Sequence, residues 1–199
     1  MSEAYLSRVA LQQLVSLMRA PRYLDIGVTS CLLASTGAQL GTFADGASAT
    51  PGVQITDSET WGVRWNNHAT PTAIAKNIMI PRNIDTSAII RVYFDVSKTG
   101  ATLADATTIT VAAYITDAGD LHDGDSNCGG VTGAVVGDLT AKTKSLLYRD
   151  IAVADIAASL PSGGPGTLAL SFGPTAGLLG TDDFVIHAAW LEFTTKYVA

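Results

Sequence analysis

The sequence predicts an all-β protein: an antiparallel, jelly-roll-like β-sandwich with an N-terminal helix and an extended arm. Three observations lead there. Apolar residues alternate with period two in run after run from residue 60 onward. Turn-forming clusters separate these runs, with no interleaved helical pattern. The composition suits strands and turns, with 19 Gly, 23 Thr, and 15 Asp against only three Glu, because Asp favours turns and caps while Glu favours helix faces.

In chain order, residues 1–20 form the helix. Ser2 can cap it, Glu3 suits its positive end, and Pro21 stops it. Leu6, Val9, Ala10, Leu14, Leu17 and Met18 follow helical spacing, and Leu11 and Val15 widen the apolar stripe. Residues 21–58 hold turn formers and short apolar pieces with no sustained period, which predicts an arm lying on a neighbouring molecule. Residues 59–199 are the sandwich. Trp61, Val63 and Trp65 alternate; Ile74, Ile78 and Ile80 share a parity closed by Pro81. Ile90, Val92, Phe94 and Val96 share a face opposite Arg91 and Asp95. Ile109 to Ile115, Leu147 to Val153 and Leu168 to Phe172 repeat the pattern, and residues 154–160 suit one helical turn. The last run, 184–198, is apolar on both parities, which predicts a central strand covered on both faces or one bulged partway along. On this division residues 60–199 fold alone.

Several function classes are excluded. A chain of 199 residues with 47% apolar and 15% charged residues is neither disordered by default nor too short for a core. No apolar run is long enough to span a bilayer, so no membrane partner is expected. The net charge of −6 without a basic stripe argues against nucleic acid. No secretory leader is expected, since no basic stretch precedes an apolar core at the N-terminus. Mean hydropathy of +0.27 is high for a soluble monomer and predicts self-association. Cys31 and Cys128 fit no zinc or redox spacing, and read as free buried thiols, with one disulfide as the alternative.

Catalytic signals are weak. His68, His122 and His187 are scattered, no Ser sits in a nucleophile elbow, and neither Gly-rich stretch is a phosphate loop. An Asp pair is possible by numbers alone. No catalytic residue and no cofactor are expected. Asp117, Asp120, Asp123 and Asp125 form the densest acidic loop and are the one calcium candidate, without EF-hand spacing; a solvated loop tip is the plainer reading. Trp61, Trp65, Tyr93, Tyr114, Tyr148 and Trp190 could stack on sugar rings, although the phase of the three Trp favours a core role. Leu6, Val9, Leu14, Leu17, Trp190, Phe193 and Tyr197 are the candidate interface residues.

Two stretches carry a resemblance. Ile78-Met-Ile-Pro81-Arg-Asn-Ile-Asp85-Thr-Ser87 leads into an alternating strand through Phe94, and Asp182-Asp-Phe-Val-Ile runs on to Leu191-Glu-Phe193. Both resemble jelly-roll structural proteins of tailed bacteriophage virions. The resemblance implies a capsid decoration or cement protein located in the virion, a homotrimer whose partners are itself and other capsid or virion proteins. The alternative it implies is a fibre-type attachment protein that binds carbohydrate.

Overall fold

The computed structural model describes residues 21–44, 48–56, 60–66, 68–99, 107–117, 131–136, 143–161, 164–175 and 182–196. The predicted helix of residues 1–20 lies outside them, as do most of the acidic loop, Cys128 and Tyr197.

Eleven strands occupy the described residues: β1 (Pro21–Asp25), β2 (Leu32–Leu33), β3 (Gly52–Thr56), β4 (Thr60–Trp65), β5 (Ile74–Ile80), β6 (Ile90–Lys98), β7 (Thr107–Asp117), β8 (Val131–Val136), β9 (Ser145–Ile151), β10 (Gly166–Pro174) and β11 (Phe184–Thr194). A helix α1 (Val153–Ser159) joins β9 to β10. One sheet runs β3-β4-β11-β6-β9, with β1 also on β11; the other runs β2-β5-β10-β7-β8. The eight strands from β4 to β11 pair as nested hairpins: β4 with β11, β5 with β10, β6 with β9 and β7 with β8, all antiparallel. That ribbon, wound into two facing sheets, is the jelly roll predicted.

The core lies between the sheets where the alternation puts it. Val92, Phe94 and Val96 of β6 face Ile109, Val111, Ala113 and Ile115 of β7 and Leu168, Leu170 and Phe172 of β10, all buried, and the Phe94 and Phe172 ring centroids lie 5.2 Å apart. Trp65 is buried, donating its indole N–H to the Thr72 carbonyl at 2.8 Å. Trp61, expected in that core by phase, is instead exposed: it lies near the open end of β4.

The two apolar parities of β11 are resolved by a bulge. The register against β6 shifts between Ile186 and Ala188, leaving His187 as the extra residue. Phe184 and Ile186 point inward before the bulge, Ala189 and Leu191 after it. Trp190 therefore turns to the outer face.

The arm expected at residues 21–58 is corrected by the pairing. β1 adds to β11, β2 to β5 and β3 to β4, all within this chain. Ile26, Val28 and Cys31 enter the common core. The physical reason is that short pieces with little periodicity can still serve as edge strands, which need one paired side only. At Gly52 a side chain would collide with the Phe43 backbone, 2.4 Å from its Cβ, so glycine there permits a close crossing of chain over chain.

The stretch Ile78–Ser87 is the corner that carries the chain from one sheet to the other. Ile84 is buried and its N–H donates to the Pro81 carbonyl at 3.2 Å. The Asp85 N–H donates to the Thr194 carbonyl at 2.8 Å, and its Oδ1 accepts from the Ser87 N–H at 3.0 Å and hydroxyl at 2.6 Å. Lys196 pairs with the same oxygen at 3.2 Å. The end of β11 thus clamps the corner.

Candidate functional site

The two outer faces of the sandwich differ in chemistry. On the sheet containing β6 and β11, outward residues from neighbouring strands fall in ranks. Tyr148 of β9 lies opposite Tyr93 of β6, Tyr93 opposite Trp190 of β11, and Trp190 opposite Asp25 of β1. Tyr93 and Trp190 stack with centroids 5.3 Å apart and planes at 17°, and Tyr148 tilts against Tyr93 at 6.1 Å. The next rank holds Asp150, Arg91, Glu192 and Tyr23. Arg91 makes a two-point contact with Asp150 at 2.5 and 2.9 Å and lies 4.3 Å from the Tyr148 ring centroid. The Tyr93 hydroxyl donates to Glu192 Oε2 at 2.8 Å, which raises the phenol pKa above its ordinary value. Beyond this cluster, Lys144 pairs with Asp95 at 3.1 Å.

The opposite sheet carries almost no charge. Its strands contain only Lys76 and Asp117, and Lys76 donates to the Ser30 hydroxyl at 2.6 Å at the sandwich edge. Outward from β5, β10 and β7 stand Ala75, Asn77 and Met79; Thr167, Ala169 and Ser171; and Thr110, Ala112, Tyr114 and Thr116. Met79 is 77% exposed and Tyr114 40%. A shallow depression of about 280 Å3, lined by Thr110, Ser171, Thr175 and neighbours, ends this face.

Among the described residues Ser97 Oγ and His187 Nε2 make a Ser–His contact, 2.7 Å apart. Ser97 is buried, and His187 Nδ1 makes no hydrogen bond of ordinary geometry. Burial holds the imidazole pKa below its ordinary value, with Lys144 adding to the effect and Asp95 and the Trp61 backbone opposing it. Attack on a substrate needs an accessible hydroxyl, so this pair fixes the bulge rather than a reaction. Cys31 is a free thiol whose pKa burial pushes up to about 11, which keeps it protonated and unreactive.

Of the sequence-derived candidates, Trp190 joins the aromatic rank and Phe193 packs against the core from its rim. Tyr93 and Tyr148 share a face, while Tyr114 sits on the other sheet and Trp65 is buried. Asp117 closes β7, but Asp120, Asp123 and Asp125 lie outside the described residues, as do Leu6, Val9, Leu14, Leu17 and Tyr197. Sequence reasoning passed over Tyr23, hidden in a segment without period, and the role of Arg91 and Glu192 beside the rings. The parity of Arg91 with Tyr93 was the available signal.

Nested pairing and two-sheet layering define a jelly-roll β-sandwich, and known structures share it. The xylan-binding module CBM15 superposes with a TM-score of 0.51 at 11% identity, covering 90% of this chain and 99% of that one. A family 30 carbohydrate-binding module of a cellulosomal cellulase of Clostridium thermocellum gives 0.43 at 13% identity over 85% of this chain and 96% of that one. The structure of infectious bursal disease virus, Gx strain, gives 0.38 at 12% identity over 89% of this chain and 32% of that one. At 11% identity the likeness to the xylan-binding module is one of fold alone. No family matches the sequence, and no curated protein matches it.

Proposed function

We propose that this chain is a non-enzymatic structural protein of a virion, a capsid decoration protein that acts as a homotrimer through surface contact. The observation that carries the reading is the unequal charge of the two sheets. A chain of net charge −6 repels its own copies wherever acids face each other. The outer face of β5, β10 and β7 is where the described surface offers a wide sheet without that repulsion, and charge depletion is the compositional mark of an interface centre. Support for the virion setting comes from the phage-like corner of residues 78–87 and the closing strand of residues 182–193, which form the junction and centre of the sandwich. Leu6, Val9, Leu14 and Leu17 remain proposed contacts of the N-terminal segment with other copies or with the shell.

The test is the mass of the full chain in solution by sedimentation. Wild type is expected as a trimer at micromolar concentration. Met79→Lys and Tyr114→Asp, both at exposed positions, are expected to give monomers with unchanged circular dichroism. A monomeric wild type, or variants that remain trimeric, would overturn the role assigned to this face. Absence of the protein from purified particles would overturn the virion setting.

A further inference from the structure

The aromatic rank on the opposite sheet is a separate surface, and its chemistry does not suit a subunit contact. We propose that it is a binding site for a neutral, linear polysaccharide lying across the strands. Tyr148, Tyr93 and Trp190 occupy three adjacent strands at one register, and Tyr23 stands on a fourth strand one rank along, opposite Glu192. Neighbouring strands are about 4.8 Å apart, so the three-strand row spans about 10 Å. A flat chain of pyranose rings, which repeats at about that interval, would meet one ring per strand. The central pair is held rigid by mutual stacking and by the Tyr93–Glu192 hydrogen bond. The flanking rings are the accessible ones: Tyr148 is 52% exposed and Tyr23 64%.

Sugars require apolar ring faces together with donors and acceptors at the margins. Both occur here. Arg91, Asp150 and Glu192 border the rings, each already engaged by a partner on the face. Their pairing leaves hydrogen-bonding capacity at the margins without an uncompensated positive charge. Of the charged groups set out along this face, Asp25, Asp95, Asp150 and Glu192 outnumber Arg91 and Lys144. An anionic polymer would be repelled, so the occupant is neutral. A second copy of the chain would set these acids against one another, which argues against this face as a symmetric dimer contact. The proposal stands apart from the virion reading: either can fail without the other.

The experiment is affinity electrophoresis of the full chain in gels containing xylan, hydroxyethyl cellulose or mixed-linkage β-glucan, with hyaluronate as the anionic control. Retardation by at least one neutral polymer and none by hyaluronate is expected. Tyr148→Ala and Tyr23→Ala should each weaken binding about tenfold, the effect of removing one stacking ring, and Ser35→Ala, in an exposed turn on neither face, should bind as wild type. Thermal melting of each variant separates lost binding from lost fold. Free migration in all three neutral polymers would overturn the proposal, as would Tyr148 and Tyr23 variants that bind normally. If Tyr148→Ala instead changes the mass of the assembly, the row is a subunit contact and the proposal fails.

Discussion

At the residue scale, His187 shows how one inserted position creates a titratable group inside a sheet. The bulge places its ring against Ser97 and half-buries it. Its pKa in the folded chain lies below the ordinary 6.5, chiefly through burial. The folded ring therefore stays neutral at a pH where the unfolded chain has already taken a proton. Stability from this group is present above the ordinary value and is lost as pH falls below it towards the folded value. The melting temperature is expected to drop between about pH 7.5 and pH 5.5, a window set around the unperturbed histidine value. In His187→Gln, which can still bond Ser97, that slope should flatten. An equal slope in both proteins would remove the histidine as its source. A bulge was one of the two readings of the doubly apolar run 184–198, but its position at His187 shows only in the register.

At the element scale, the strands were legible because a sheet with one buried face writes its geometry as alternation. β6, β7 and β10 keep strict parity and lie where the sequence places them. The edge strands were not legible. β2 has two residues, and β3 carries Gly52 and Gln54, so neither shows a period. The exposed aromatic face was legible in part: Tyr93 and Tyr148 sit opposite apolar parities, but Trp190 reads as core until the bulge reverses its side. The corner of residues 81–87 was recognised as a pattern, and the structure supplies its cause in the bonds of Asp85. Burial alone would raise this carboxyl, but Ser87 and Lys196 outweigh it and hold the pKa below the ordinary value. Asp85→Ala deletes both contacts from Ser87 and the ion pair with Lys196, which should cost about 2–3 kcal/mol. Urea unfolding would register this as a lower midpoint with an unchanged slope. A midpoint within experimental error of wild type would mean that the Ile84 and Thr194 contacts suffice for the corner.

At the scale of the whole molecule, the correction to residues 21–58 changes what a truncation should do. If they were an arm, residues 60–199 would form the folded body. The pairing makes them part of both sheets, with Ile26, Val28 and Cys31 inside the core. Removing them strips β1 from the edge of β11 and β3 from β4, and exposes unpaired backbone along two strands of one sheet. It also opens a void that neighbouring side chains cannot fill, since interiors are packed to near-crystal density. The fragment of residues 60–199 is therefore expected to melt without a cooperative transition and to bind a hydrophobic dye. A chain starting at Pro21 keeps every described strand and should melt as one unit. A sharp, native-like transition in the shorter fragment would show that the first three strands are attached to the sandwich without supporting it. The excess of apolar surface that suggested self-association is partly absorbed by these strands, which cover the ends of both sheets. Among the described residues, the apolar surface that remains exposed is divided between a neutral face and an aromatic one, the first proposed above as the subunit contact and the second as the polysaccharide site.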